Sequence, residues 1–196
     1  MGRLEMSSSR LEAFSDGVIA IIITIMVLEL KVPLDGDPTS LLDLWPIFMS
    51  YALSFIMVAV YWINHHHLFH FVKRVNTGIL WSNNLLLFCM SLIPFFTGYV
   101  NEHERNGFSV AMYSGILLVC AMAFTVLRIS IKSQLNENDP ATEFYKLAAA
   151  RKNWMAVILY GVAFGLAFIY PPASLLLNLV VGLLYFAPDL FVQKTH

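Results

Sequence analysis

The chain predicts an all-α integral membrane protein, a single domain over residues 1–196 with six transmembrane helices. Three observations carry that prediction. Of the 196 residues, 58% are hydrophobic and only 13% are charged, whereas soluble domains carry about a quarter charged residues. The apolar residues gather into six segments, each near the length a tilted helix needs to cross a bilayer. Turn-forming residues punctuate those segments.

Residues 11–32 form the first segment, ended by Pro33 and the run Asp35-Gly36-Asp37-Pro38, because proline cannot continue a helix beyond its first turn. Its uncharged stretch, 17–28, is bracketed by Asp16 and Glu29. That stretch covers about 18 Å at 1.5 Å per residue, against a hydrocarbon core of about 30 Å. The helix therefore carries Asp16 below the headgroups, where an aspartate costs about 3 kcal/mol at mid-helix. Such a residue is tolerated when it faces protein or water, and it is then a functional-site candidate. The second segment, 42–63, runs into Asn64-His65-His66-His67. The third, 78–100, and the fourth, 108–129, are separated by the polar residues 101–107. The longest polar stretch, 132–152, predicts a short amphipathic helix over 141–150. Pro171-Pro172 forms a tight break between the fifth segment, 153–170, and the sixth, 173–192.

Loop charges orient these segments. With the N-terminus inside, the cytoplasmic side holds Arg3, Arg10, Lys73, Arg74, Arg128, Lys132, Lys146, Arg151, Lys152 and Lys194, and the outer side holds only Lys31 and Arg105. The positive-inside rule then makes both termini cytoplasmic. The six segments show no internal repeat, so a symmetric pore needs several copies of the chain.

Several function classes are excluded. No basic run or basic face exists for nucleic acid. Cys89 and Cys120 lie in apolar stretches and read as small packing residues rather than a disulfide framework. The N-terminal run contains Asp16 and lacks a small-x-small cleavage site, which argues against a secretory signal peptide. No Ser-His-Asp or Cys-His arrangement and no glycine-rich phosphate loop points to an enzyme or a cofactor. His66 and His70, or His67 and His70, have helical chelate spacing, yet no cysteine lies near and no HExxH motif occurs, so no metal site is expected.

On a helical wheel of about 100° per residue, Phe14, Val18, Ile25 and Leu28 fall within about 60° of Ile21, with Thr24 on the flank. Asp16 falls about 140° away. Periodicity alone assigns the Ile21, Ile25, Leu28 stripe to core or lipid packing. Asp16 reads first as an interhelical hydrogen-bond anchor, with a proton relay or ion site as the other reading. Its candidate partners are the polar residues of Trp62–His70 and of Trp81-Ser82-Asn83-Asn84, which lie at the same depth. A His or Asn donor there offsets part of the desolvation cost.

The motif Arg10-x3-Phe14-Ser15-Asp16 resembles the signature of the transmembrane protein 175 family of potassium channels. Trp62-x2-His65 with Leu68-Phe69, then Trp81-x-Asn83, then Pro94-Phe95-x-Thr97 resemble the family pattern in order and spacing. One departure is Phe96, which stands where the pattern has a second proline. The specific motifs cover about the first hundred residues; beyond them only the six-helix layout agrees. The resemblance implies a potassium-selective cation channel in a prokaryotic plasma membrane, a homotetramer built around helix one. The animal lysosomal relative fuses two such units and also passes protons. The family lacks the TVGYG filter and narrows its pore with aliphatic rings from helix one. By offset from the motif those rings fall on Ile21, Ile25 and Leu28, and Thr24 offers hydroxyls to a partly dehydrated potassium ion. Arg10, Phe14, Ser15, Asp16, Trp62, His65, Trp81 and Asn83 would form the brace that holds helix one at the axis. Two competing functions are a proton-coupled transporter using Asp16 and the His65–His70 cluster, and a non-conducting scaffold. Transporters of that kind show paired Gly/Pro-interrupted helices in corresponding halves, and the sequence has no such pair.

Overall fold

The computed structural model describes residues 7–33, 37–72, 74–103, 105–132 and 140–186, with side chains over 151–184 in the last stretch. Eight α-helices occur among the described residues: α1 Ser8–Leu28, α2 Pro38–Asp43, α3 Trp45–Phe69, α4 Thr77–Ser91, α5 Ile93–Glu102, α6 Gly107–Lys132, α7 Pro140–Ala167 and α8 Pro171–Phe186. Among the described residues, four helical stretches are long and apolar enough to cross a membrane: α1, α3, α4 with α5, and α6. The shorter α8 is apolar from Pro171 to Leu184.

Local chemistry sets the helix starts. Asp37 caps α2 by accepting from the Thr39 N–H at 2.9 Å, with Pro38 in the first turn, where its missing N–H costs nothing. That backbone hydrogen bond also holds the Asp37 carboxyl below its ordinary value. Asn76 caps α4 through the Ile79 N–H at 2.8 Å, and Asn106 accepts from the Ser109 N–H at 2.8 Å at the start of α6.

The structure departs from the predicted elements at three places. The third segment is two helices that meet at Leu92, because Pro94 has no N–H for the Met90 carbonyl and its ring crowds that carbonyl. Phe96 falls inside α5, past the break. The predicted short helix 141–150 and the predicted fifth helix are one element, α7. No glycine or proline interrupts 141–160, and the Ala-rich centre favours helix strongly enough to carry the charged residues with it. Pro171-Pro172 does more than separate helices: it supplies the first turn of α8. The predicted extension of the last helix to 192, the turn residues Asp35 and Gly36, and Arg3, Lys73 and Lys194 lie outside the described residues.

Helix α6 is the centre of the bundle, packed against α4, α5, α7 and α8. Helix α1 leans on α3, α4 and α5 at the edge. The end of the bundle where α1 starts is called here the near end, and the end where it stops the far end. Polar side chains tie the apolar helices together, as is common where backbones pack in lipid. Ser54 Oγ lies 2.7 Å from Thr97 Oγ1 and 3.0 Å from Tyr113 Oη, joining α3, α5 and α6. Asn178 Nδ2 donates to Ser114 Oγ at 2.9 Å, and Ser174 Oγ donates to the Ala163 carbonyl at 2.7 Å, joining α6, α7 and α8. Asn153 donates to Thr125 Oγ1 between α7 and α6. Ser54→Ala is expected to lower stability by about 1–2 kcal/mol, because the buried Tyr113 hydroxyl loses its partner. Thermal unfolding in detergent checks this, with Tyr113→Phe in the Ser54→Ala background expected to recover part of the loss.

Candidate functional site

Helix α1 divides its residues between two faces. Leu11, Ser15, Ile19, Ile22 and Met26 recur at helical spacing and are all buried against α3, α4 and α5. Around the helix from them, Ile21 is 58% exposed, Ile25 45% and Leu28 77%. The aliphatic stripe therefore points away from the chain's own core. Phe14, at 57% exposure, lies on the stripe's side of α1 rather than among the bracing contacts. Thr24 is exposed beside the stripe and its Oγ1 donates to the Ile21 carbonyl at 2.8 Å. With its hydrogen spent on the backbone, that oxygen keeps its lone pairs for an outside ligand.

The buried face is fastened by two sets of polar contacts near the end where α1 starts. One set is an antiparallel ladder between α1 and α3. Glu12 Oε1 lies 2.9 Å from His66 Nδ1, and Trp62 Nε1 donates to Asp16 Oδ1 at 3.0 Å. Glu12 and Asp16 are one turn apart on α1, and Trp62 and His66 one turn apart on α3, so the two rungs match. The other set is fully buried. Asn83 Nδ2 donates to Ser15 Oγ at 3.0 Å, and Ser15 Oγ donates to the Leu11 carbonyl at 2.8 Å. Asn83 Oδ1 lies 2.8 Å from His65 Nε2. With the Asn83 amide nitrogen committed to Ser15, its oxygen must accept, so His65 Nε2 carries the hydrogen. The His65 ring stacks on Phe69 at 4.2 Å, and its Nδ1 is buried without a hydrogen-bond partner.

The structure thus joins Ser15, His65 and Asn83, and separately Asp16 and Trp62. The expectation that His65 or Asn83 donates to Asp16 is corrected: the donor is the Trp62 indole, and the His–Asn pair serves Ser15. Arg10 and Trp81 are exposed and make no side-chain hydrogen bond among the described residues. The Glu12–His66 rung is an addition to the predicted set. Its signal in the sequence was the matched four-residue spacing of Glu12 with Asp16 and of Trp62 with His66. His65 is buried while His66, His67 and His70 are exposed, and among the described residues no group of three His, Cys, Asp or Glu side chains is placed to hold a metal.

Asp16→Asn is expected to keep the fold, since an amide oxygen still accepts from Trp62. Asp16→Leu and Trp62→Phe should each cost about 0.5–1.5 kcal/mol, and no more together than apart, because they remove the same bond. Additive losses in thermal unfolding of the double variant would show that the bond contributes nothing.

At the far end, Lys31 Nζ meets Glu102 Oε1 at 2.8 Å, and that hydrogen bond raises the Lys31 pKa. The Glu29 carboxylate sits over Gly98, where a Cβ would come within 2.8 Å of Glu29 Oε2. Helix α1 is therefore fixed to α3 and α4 at one end and to α5 at the other.

The fold and site define an all-helical membrane protein whose first helix turns an aliphatic stripe outward from a polar brace. Residues 10–94 match the family described as endosomal/lysosomal potassium channel TMEM175. A potassium channel of Chryseobacterium sp. (strain P1-3) is 42% identical over 190 residues, covering 97% of this chain and 98% of its own. A potassium channel of Streptomyces collinus (strain DSM 40733 / Tue 365) is 32% identical over 187 residues, 91% of each chain. The crystal structure of a lysosomal potassium-selective channel TMEM175 homolog from Chamaesiphon minutus superposes with a TM-score of 0.76 at 32% identity, covering 92% of this chain and 97% of that one. The chain belongs to the TMEM175 family. That is a family of channels, not of enzymes.

Proposed function

We propose that the chain is a subunit of a homotetrameric, potassium-selective channel in the plasma membrane of a prokaryote. Four copies of α1 surround the pore, and Ile21, Ile25 and Leu28 form rings stacked over about 10 Å of its length. The observation that carries this reading is the outward stripe on α1. In a membrane protein an aliphatic face can meet lipid, but here it stands back to back with the most heavily hydrogen-bonded face of the same helix. That arrangement aims a helix rather than merely burying one. The relatives named as potassium channels support the same reading.

On this reading the six spans are α1, α3, α4 with α5, α6, α7 and α8. Arg10, Arg74, Arg128, Lys132, Arg151 and Lys152 gather at the near end and Lys31 and Arg105 at the far end, which supports a cytoplasmic near end and cytoplasmic termini. A ring of isoleucines offers no ligand to a cation. It excludes water, so passage favours the ion that gives up its hydration more readily, and of potassium and sodium that is potassium. Thr24 supplies four oxygens beside the rings. Conduction is passive and needs no cofactor beyond the permeant ion. The test is the reversal potential of the purified protein in planar bilayers under mixed potassium and sodium. A shift toward the potassium equilibrium potential is expected. Flux that requires a coupled ion gradient would instead favour a transporter.

A further inference from the structure

We propose that a groove between α3 and α8 holds one acyl chain of an anionic phospholipid, with Arg105 taking its phosphate. The groove has a volume of about 460 Å³ and opens between Leu53 and Ile56 of α3 and Leu175 and Leu179 of α8. Its size is within the roughly 300–1,000 Å³ of ordinary ligand cavities. Thr97 and Tyr113 lie in its floor and Arg105 at its rim.

The wall chemistry fixes the body of the occupant. Thr97 Oγ1 donates to the Ile93 carbonyl at 2.8 Å, and the hydroxyls of Thr97, Ser54 and Tyr113 satisfy one another. With those hydroxyls used, and the Ser50 hydroxyl donating to the Pro46 carbonyl at 3.2 Å, nothing in the floor asks for a polar partner, and apart from Arg105 the rest of the lining is apolar. The groove lies in the far-end half of the bundle, beginning one turn below Trp45, so a lipid tail entering from the bilayer has the right depth to fill it.

Arg105 fixes the head. Lys31 and Arg105 are the basic residues of the far end, and Lys31 is paired with Glu102 at 2.8 Å. The Arg105 guanidinium has no side-chain partner among the described residues. Its backbone stands at φ 55°, the only positive φ outside glycine among them, in a turn closed by its own N–H to the Val100 carbonyl at 3.2 Å. A guanidinium fork matches a phosphate bidentately, and basic pockets between membrane helices bind anionic headgroups. A choline headgroup brings its own cation to the same phosphate, so the site prefers phosphatidylglycerol to phosphatidylcholine.

The experiment is a competition. The purified full chain is incubated in detergent with equal phosphatidylglycerol and phosphatidylcholine of matched chains, and bound lipid is counted by native mass spectrometry. Phosphatidylglycerol should be retained about tenfold over phosphatidylcholine, the scale of one charge-assisted contact. Arg105→Gln should cut that preference to about twofold or less while lipid is still held, and Ala52→Phe, which puts a ring into the groove, should remove both lipids. Equal retention by the native protein, or an unchanged preference in Arg105→Gln, would overturn the proposal. So would binding of inorganic phosphate with no lipid retained. Loss of the oligomer in Ala52→Phe with lipid binding intact would give the groove to a second copy and overturn it equally.

Discussion

Replacing Ile21 with asparagine is expected to bring the potassium-to-sodium permeability ratio close to one and to raise total current while leaving assembly intact. The side chain is 58% exposed in the subunit and touches none of the bracing hydrogen bonds, so its loss removes little packing energy. On the proposed reading four amides would replace four apolar groups at one level of the pore. Water would then stay in the ring and the hydrated sodium ion would lose its handicap. If wetting lowers the barrier by only about 1.4 kcal/mol, current rises about tenfold. Bilayer recordings of the variant against the native protein, with size-exclusion of the same preparations, check both halves. An unchanged permeability ratio would remove Ile21 from the selective part of the pathway.

Asn83→Leu carries the largest expected loss of stability. Asn83 is wholly buried and serves two elements at once, Ser15 on α1 and His65 on α3. Its removal leaves the His65 ring with neither nitrogen paired, and Ser15 keeps only its bond to Leu11. An unpaired buried polar group costs about 1–3 kcal/mol, and the measured worth of membrane hydrogen bonds, about 0.6 kcal/mol on average, sets the lower end. The double variant His65→Leu, Asn83→Leu should be less damaging than the sum of the single changes, since both unpaired groups are then gone. Simple additivity in thermal unfolding would mean that the two residues do not act on each other.

These outcomes separate what the sequence made legible from what only packing decides. Composition and the six apolar segments gave the helical membrane architecture, because burying charge in lipid is so costly that few patterns survive. The wheel separated Asp16 from Ile21 correctly, since 3.6 residues per turn is insensitive to context. It had no means of choosing partners. Trp62, His65 and His66 sit within five residues on α3, and a rotation of less than one turn decides which of them meets Asp16. That rotation is set by how the buried side chains of the helix, Met57, Val58 and Leu68 among them, pack against their neighbours. The continuity of α7 is hidden in the sequence for a related reason: a charged stretch looks like a boundary, whereas helix propensity runs through it. The Pro94 break was legible in principle, because the missing N–H is a property of the residue alone.

The placement of α1 at the rim of the subunit has a consequence for the cell. Any conduit lined by the outward face of α1 does not exist inside one subunit; it comes into being only when copies meet. On the proposed reading a newly inserted chain would not leak ions while it waits for partners, and dilution in the bilayer should extinguish current more steeply than it reduces the amount of protein. Assembly itself would serve as the safeguard of the membrane potential, with no plug or closed gate required of the unassembled chain.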